Sequence, residues 1–508
     1  MLQQLSAQDA SFIYQDTPAT PMHVASVAIL DPSTSPYGPL TLEAVMGFYE
    51  ERLHLMPTAR RRLVNVPFGL DHPYWIEDAG FDLEYHIREL GLPAPQDWQA
   101  LYTLAARILS RPLDMNRPPW EVYLIHGLDR LEGVPTGCVG LLFKTHHCAI
   151  DGASGLEMAL ALADLAPEMA PVPSPSKPWR ADPVPDDGEL LLRTWGNVLL
   201  RPLQLAEFMA TAAPAAPALP ESMRQELPQA TPVPRTRFNA PVSAHRAVGF
   251  ERFPLDDVRA VKNEVAGATV NDVALTLCGG ALRRYLQEKI ELPDDSLLAM
   301  APISVRKASA EYGRGNAVSA MFVTIGTHIE DPVERLKHVR DATSAAKQMA
   351  NAVGADTMLR YNEFMPAAVS NLAQRLTTEF ARANQAAPAF NCSITNVPGP
   401  QVPLYTMGCQ TVTTIGYGPV THNMGLIMPI SSYCGEFTIS FTSCRDMIPD
   451  PDFFMACIRQ SFEETRTAAL GTDAEADAKV AAIAKNYSHM AEAALAEVRA
   501  ARAKASGN

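Results

Sequence analysis

The chain has 508 residues, more than one hydrophobic core normally supports, so we expect two large domains. Its net charge of -14 argues against a nucleic acid as the main partner, because binding to phosphates needs a basic surface. No uninterrupted apolar segment of about 18 residues occurs and the N-terminus lacks a secretory pattern, so we expect neither a spanning helix nor export.

The first 166 residues mix strand and helix patterns, which favours an α/β fold. A β-rich run predicts a strand at Val24–Leu30, and helical spacing follows at Leu42–Leu55 and Trp98–Leu109. Two further strands are predicted at Trp120–Leu124 and Gly137–Thr145.

The last of these strands ends at two adjacent histidines, His146 and His147. If the strand continues to its end, Thr145 and His147 share one face while Lys144 and His146 share the other. The two histidines are therefore expected to differ, one facing a cleft and the other packing or hydrogen-bonding. The residues at 154 and 157 have capping-box spacing and predict a helix that starts near 154.

A change in composition separates the two halves of the chain. Residues 167–245 are rich in proline and predict a linker. Within it, residues 188–210 form an amphipathic segment that carries arginines beside leucines and a tryptophan. This segment predicts either a helix packed on the domain surface or a helix that lies on lipid.

The second half, residues 246–470, again mixes helices and strands. Thr269 and Asp272 have capping-box spacing and predict a helix that runs to Leu286. Apolar and polar residues alternate over 437–442, which predicts a strand buried on one face only. The alanine-rich tail, residues 471–508, predicts a solvated terminal helix.

Several short stretches carry a family resemblance. The motif His-His-x-x-x-Asp-Gly at 146–152 resembles that of the CoA-dependent acyltransferases, which include chloramphenicol acetyltransferase and condensation domains. An ordered set of further stretches is similar to the bacterial wax ester synthase/diacylglycerol acyltransferase family, namely Leu5–Ala10, Pro112–Trp120, Asn271-Asp272, Pro302–Arg306 and Asn396–Pro400. The resemblance covers about residues 1–470 and implies an α/β, two-domain, chloramphenicol-acetyltransferase-like sandwich. In that fold a channel runs between the halves 1–166 and 246–470.

The resemblance implies that His147 is the general base. Histidine suits this role because its ordinary pKa of about 6.5 lets it accept a proton at neutral pH. The chain offers no Gly-x-Ser-x-Gly nucleophile near the motif, so we expect an alcohol to attack the thioester directly, without an acyl-enzyme. Asn271, in the first turn of its helix, is the candidate oxyanion donor or substrate-positioning group, and a simple polar cap is the alternative.

The other motif residues are expected to hold the site in place. By resemblance Asp151 pairs with an arginine of the second half, with Arg306 the first candidate and Arg445 the second; a helix-capping aspartate is the alternative. His146 and Gly152 are expected to orient the turn.

A third group is expected to shape the channel: Trp120, Asn396, Pro398 and Gly399. For Trp120 and the preceding Arg117 a purely structural turn is the alternative, since prolines fix the backbone there. Gly399 is expected to supply an unusual backbone conformation.

No cofactor is predicted besides acyl-CoA as co-substrate. His146 and His147 lack a third ligand at metal-binding spacing, so no metal site is expected. Cys148 adjoins the base, but a packed thiol is expected there. None of the eight cysteines forms a Cys-x-x-Cys pair, which predicts reduced core residues.

The sequence thus predicts an O-acyltransferase that moves a long-chain acyl group from acyl-CoA to a fatty alcohol or a diacylglycerol. Both substrates are lipid-like, so a cytoplasmic chain is expected to associate peripherally with a membrane or lipid-droplet surface. Two alternatives remain open: a condensation-type enzyme that uses a carrier-protein thioester, and a non-catalytic lipid-binding protein.

Overall fold

The computed structural model describes residues 2–56, 58–150, 162–175, 178–197, 199, 233–304, 318–353 and 367–485. The described strands are β1 Gln3–Gln4, β2 His23–Asp31, β3 Arg61–Val64, β4 Tyr74–Glu77, β5 Ile87–Gly91, β6 Trp120–His126, β7 Val139–His146, β8 Arg246–Pro254, β9 Leu298–Ser304, β10 Val318–Thr324, β11 Cys392–Pro398, β12 Tyr405–Thr406, β13 Cys409–Tyr417, β14 Leu426–Tyr433 and β15 Glu436–Cys444. The described helices are α1 Ala7–Gln15, α2 Leu42–Arg52, α3 Leu83–His86, α4 Trp98–Leu109, α5 187–197, α6 Leu255–Asn263, α7 Val270–Glu288, α8 Pro332–Val353, α9 Ala367–Arg382, α10 Pro451–Leu470 and α11 473–485. The predicted α/β fold with two domains is confirmed.

A six-stranded sheet in the order β12-β13-β2-β7-β6-β5 forms the first half. Its strand β7 is antiparallel to both neighbours, and its register places His146 opposite His23 and Thr145 opposite Trp120. Helix α4 packs against this sheet through Leu101, Ala105 and Leu109. Because two strands hold β7 along its length, the two histidines occupy a fixed place at the end of a buried strand.

A second six-stranded sheet, β10-β9-β11-β14-β15-β8, forms the other half. Strand β11 lies inside it, parallel to both β9 and β14. Helices α6, α7 and α10 cover one face of this sheet. Among the described residues it shares one continuous core with α4 and the first sheet.

The prediction that β15 is buried on one face only is wrong. The three polar side chains of the alternating segment 437–442, Thr438, Ser440 and Thr442, are at most 4% exposed. One face packs on α10, where the Phe441 ring meets Phe454, and on the other face the Ser440 hydroxyl donates to the carbonyl of Gly416 in β13 at 2.6 Å. The Ser440 hydroxyl thus points into the contact between the two sheets, where the carbonyls of Gly416 and Pro429 accept its hydrogen bond.

A strand of the second half completes the sheet of the first. Strand β13 pairs antiparallel with β2, so that Ile415 lies opposite Val27. The buried Arg246 adds a second link, because its guanidinium donates 2.6 Å hydrogen bonds to the carbonyls of Ala19 and Ser243. The two halves are therefore joined by backbone pairing as well as by packed side chains.

A small sheet, β1-β4-β3, lies beside the first half and supports α5. Helix α5 lies within the predicted linker and coincides with part of its amphipathic segment; residues 200–232 of that linker are outside the described ranges. Across the described ranges we find no helix that is both long and apolar enough to span a bilayer.

Candidate active site

His146 occupies the last position of β7 and is fully buried. Its Nδ1 atom accepts a hydrogen bond from the backbone N–H of Cys148 at 3.1 Å, so the ring proton lies on Nε2. That Nε2 atom lies 3.6 Å from a carboxylate oxygen of Asp16, whose other oxygen accepts from the backbone N–H of Met22 at 3.1 Å. These contacts hold the turn after β7 against the segment that follows α1.

His147 lies one residue further along and is only partly buried. Its backbone N–H donates to the carbonyl of Met22 at 2.8 Å. Its ring stacks on Phe12 of α1, with the two centroids 4.0 Å apart and the planes at 15°. The two histidines therefore have different surroundings, as the alternation of side chains predicts.

A buried charged pair supports β7 just before the histidines. The Lys144 ammonium lies 3.0 Å from a carboxylate oxygen of Glu121 and donates to the carbonyl of Arg111 at 2.9 Å. Burial lowers the pKa of Lys144, although Glu121 opposes this effect. Burial would raise the pKa of Glu121, but Lys144 and the hydroxyl of Tyr123 outweigh it and hold that pKa below its ordinary value.

His23, opposite His146 in the sheet, is a neutral acceptor. Its Nε2 atom accepts from the backbone N–H of Leu113 at 3.3 Å. Burial and then the charge of Lys144 lower its pKa well below 6.5. Leu113 belongs to one of the stretches that carry the family resemblance, so this bond fixes that stretch beside the end of β7.

Cys148 is buried among Leu5, Leu63 and Trp75. Burial raises the pKa of its thiol well above 9.0. A protonated thiol in such a place is a poor nucleophile. The geometry agrees with the packed role expected for this residue.

In the second half the structure brings Asn271 and Asn396 together. Thr269 caps α7 and Asp272 completes the capping box, as predicted. The Asp272 carboxylate also accepts from the Thr343 hydroxyl at 2.6 Å, which ties this helix start to α8. On β11 the side-chain amide of Asn396 donates to the Asn271 side-chain oxygen at 3.3 Å. This bond uses the side-chain oxygen of Asn271, so the amide nitrogen of that side chain points away from Asn396.

The reason expected for a glycine at 399 is wrong. Gly399 does not have the left-handed backbone conformation in which glycine is favoured. Instead its N–H donates to the carbonyl of Ser432 at 3.0 Å, and a Cβ atom would lie 2.4 Å from that carbonyl oxygen. Close approach of two backbones therefore requires the glycine. Pro398, the last residue of β11, is exposed.

Trp120 lies in the core of the first half. Its indole N–H donates to the carbonyl of Ala59 at 2.8 Å, and its ring stacks on His86 with centroids 4.4 Å apart. Arg117, just before it, lies over the ring of Tyr85. These contacts favour the structural interpretation of this segment.

Asp151, Gly152 and Arg306 lie outside the described residues, so their predicted roles stay predictions. Arg445, the second candidate for pairing with Asp151, has an exposed side chain. Across the described ranges no group of three histidine, cysteine, aspartate or glutamate side chains is placed to hold a metal ion.

Sequence reasoning missed two residues that contact the histidines: Phe12, against His147, and Asp16, near His146. Each is far from the histidine motif in sequence, and only strand pairing brings it near. The one usable signal is that Phe12 and Asp16 follow directly after the stretch Leu5–Ala10 that carries the family resemblance.

An open cleft of about 170 Å³ lies between the end of α1 and helix α9. The first half contributes Gln15 and Thr20, and the second half contributes polar residues of α9 such as Gln374 and Thr378. Gln15 directly precedes Asp16, the carboxylate near His146. The cleft thus opens where the two halves meet, close to the end of β7.

Comparison with known proteins identifies the family. A sequence model of the wax ester synthase/diacylglycerol acyltransferase catalytic domain matches residues 5–274, and one of the C-terminal domain of the same family matches residues 314–466. A candidate diacylglycerol O-acyltransferase of Mycobacterium tuberculosis (strain ATCC 25618 / H37Rv) is 32% identical over 451 residues, which are 88% of this chain and 87% of that protein.

Solved structures share the fold. The wax ester synthase/diacylglycerol acyltransferase from Marinobacter aquaeolei VT8 gives a TM-score of 0.64 at 24% identity, over 92% of this chain and 100% of that one. The starter condensation domain of rhizomide synthetase gives a TM-score of 0.54 at 14% identity, over 92% of this chain and 94% of that one. These findings confirm the resemblance predicted from the motifs: the chain belongs to the wax ester synthase/diacylglycerol acyltransferase family of acyltransferases.

Proposed function

We propose that this chain transfers a long-chain acyl group from acyl-CoA to a fatty alcohol or a diacylglycerol, with His147 as general base. The observation that carries the proposal is the contrast between the two histidines at the end of β7. His146 is fully buried and committed to Cys148 and Asp16, whereas His147 is partly exposed and its ring is held in one plane by Phe12. A base has to be both oriented and accessible to substrate.

In the proposed reaction the acceptor hydroxyl attacks the thioester carbonyl while its proton passes to His147. A carbon–oxygen bond forms and the carbonyl oxygen becomes an oxyanion. The carbon–sulfur bond then breaks, the oxyanion returns to a carbonyl, and the CoA sulfur takes the proton from the imidazolium. The products are an ester and free CoA, and no acyl-enzyme is formed. A positioned base of this kind contributes about 10²–10⁴-fold to the rate.

Asn271 is our candidate for the oxyanion donor. Its side-chain oxygen accepts the bond from Asn396, so its amide N–H₂ group is the part that is available to donate. Asn271 also lies in the first turn of α7, where the helix dipole favours negative charge. The reaction as proposed needs no metal and no cofactor besides acyl-CoA as co-substrate.

Because both substrates are lipid-like, we propose that the chain works at a membrane or lipid-droplet surface and binds it peripherally. The outward side of α5 supports this proposal, since Leu192 and Trp195 are 74% and 64% exposed. The inward side packs through Leu190 on Val66 and Tyr74. The two interpretations of this segment are thus compatible, because one side packs on the protein and the other side is available to lipid.

The test is CoA release from palmitoyl-CoA with hexadecanol and, separately, with a diacylglycerol. His147→Ala is expected to reduce release with either acceptor by at least about 10²-fold. The matched control is His126→Ala, which removes a histidine from the end of β6, where it pairs with Glu89 on the surface. Thermal unfolding of each variant confirms that it is folded.

No release by the wild-type chain, or equal release by His147→Ala, would overturn the proposal. The same assay with an acyl thioester of a carrier protein separates it from a condensation-type reaction: faster turnover of the carrier-protein thioester than of palmitoyl-CoA would favour the condensation-type reaction.

A further inference from the structure

Exposed apolar side chains are concentrated on one part of the surface. In the described part of the chain, fifteen large apolar side chains are exposed, and nine of them lie on α5 with the adjoining residue 199, on the loop 67–70 and on α9. We call these nine the apolar face: Phe68, Leu70, Leu192, Trp195, Leu199, Val369, Leu372, Leu376 and Phe380. Clusters of this kind on a protein surface mark interaction sites.

Helix α9 has its polar side toward the protein and its apolar side outward. Val369, Leu372, Leu376 and Phe380 recur at helical spacing and are 50–60% exposed. On the opposite side, Gln374, Thr377 and Thr378 line the cleft at the end of α1. A helix that needed only to pack on this protein would show the reverse arrangement.

Helix α5 repeats this arrangement on its outer side. Thr194 is buried and donates to the carbonyl of Leu190, and the Asn197 amide donates to Asp71 at 2.7 Å. Leu192, Trp195 and Leu199 lie on the opposite side of the helix and are 64–74% exposed. Polar contacts anchor this helix while its apolar side points away.

The loop 67–70 connects the two helices. On one side of it α5 packs on Val66, and on the other side the Asn371 side chain of α9 lies against Gly69. Between them Phe68 is 91% exposed, and its backbone has a positive φ of 58°. A phenylalanine held outward in this conformation protrudes from the surface and does not line a groove.

We propose that the apolar face docks on a neutral phospholipid surface. This inference rests on the proposed function and names the surface that it requires. Leucine, phenylalanine and tryptophan side chains on the outer sides of helices suit the boundary between headgroups and acyl chains. A protein partner needs complementary shape, whereas a fluid lipid surface accepts protruding side chains such as Phe68.

Charge decides between neutral and anionic lipid. The chain carries a net charge of -14, so an anionic bilayer repels it at long range. Of the arginines beside the apolar face, Arg193 and Arg382 are paired with Glu189 and Glu379 of their own helices, and Arg375 of α9 is exposed. Binding therefore comes from burial of apolar side chains and is expected to depend weakly on salt.

The apolar face also connects to the candidate active site. The inner side of α9 lines the cleft, and α1, on the other side of that cleft, carries Phe12 against His147. A lipid acceptor leaving the surface under α9 would therefore enter between the two halves, beside α1.

The test is flotation of the full chain with phosphatidylcholine vesicles, without acyl-CoA or acceptor. The wild-type chain is expected to float, and Leu372→Ser/Phe380→Ser and Phe68→Ser/Trp195→Ser are each expected to reduce the partition coefficient by about tenfold or more. The control is Ile290→Ser, which removes a side chain that is 94% exposed but lies after α7, outside the apolar face. This control is expected to float like the wild type.

Equal flotation of the wild type and both double variants would overturn the proposal, and so would an equal loss in Ile290→Ser. A wild-type dimer that the double variants convert to monomers, with no flotation of either, would assign the face to a second copy and also overturn it. Flotation needs no turnover, so a wild-type chain that floats through this face but releases no CoA would refute only the proposed reaction.

Discussion

The side-chain amide of Asn396, on strand β11, donates a 3.3 Å hydrogen bond to the side-chain oxygen of Asn271, in the first turn of helix α7. The bond joins two residues 125 positions apart and fixes the direction of the Asn271 amide nitrogen. If that nitrogen meets the oxyanion, Asn271 contacts the reacting atoms, whereas Asn396 acts through Asn271.

The two asparagines are therefore expected to differ in kinetics. Asn271→Ala is expected to lower kcat by about 10²–10³-fold with little change in KM, because the bond is made in the transition state. Asn396→Ala is expected to lower kcat by only about tenfold, since the Asn271 amide stays in place but is less well oriented. Steady-state CoA release checks both, and a larger effect of Asn396→Ala would refute this assignment.

If the acceptor hydroxyl attacks the acyl-CoA thioester directly, the reaction does not need the Cys148 thiol. Cys148→Ala is expected to keep kcat within a few-fold of the wild type, because the buried thiol has a raised pKa and takes no part in the reaction. Thiol titration supplies a second measurement: of the eight cysteines only Cys434 is exposed, so one thiol should react in the folded chain and eight after unfolding. Rapid inactivation that coincides with modification of Cys148 would contradict the prediction.

Gly399 offers a test of close backbone packing. Gly399→Ala is expected to lower the free energy of unfolding by about 1–3 kcal/mol, because the new methyl group meets the carbonyl of Ser432. Gly47→Ala is the matched control, since Gly47 is exposed within α2 and has no atom within 4 Å of the added Cβ. It is expected to stabilise the chain by about 0.5–1 kcal/mol. Denaturant unfolding measures both, and equal effects would refute the packing argument.

His23 predicts how stability depends on pH. Its folded pKa is lowered well below 6.5, so as the pH falls below about 6.5 the unfolded chain binds a proton that the folded chain does not. The free energy of unfolding should therefore decrease between about pH 7 and 5. His23→Gln is expected to flatten this decrease in part, because His86 and His422 are also buried with lowered pKa values. An unchanged slope in His23→Gln would contradict the prediction.

Short sequence patterns predicted the helices and strands well, because the start and the type of such an element depend mainly on neighbouring residues. Thr269 caps its helix as its spacing from Asp272 predicts. Contacts between distant residues were not predictable. The bond partners of His146 and the neighbour of Gly399 depend on which strands pair, and nothing in the local pattern of β15 reveals that a second sheet covers its hydroxyls.

Because β13 belongs to the second half of the chain but pairs with β2 of the first sheet, that sheet cannot be completed early in synthesis. Strand β2 is made early, but the strand that pairs with its open edge, Cys409–Tyr417, leaves the ribosome almost 400 residues later. Until then the first sheet has an unpaired edge, which is a site for aggregation. We therefore expect that a chain ended before residue 417 does not yield a stable first half, and that separately made halves recover structure only when mixed.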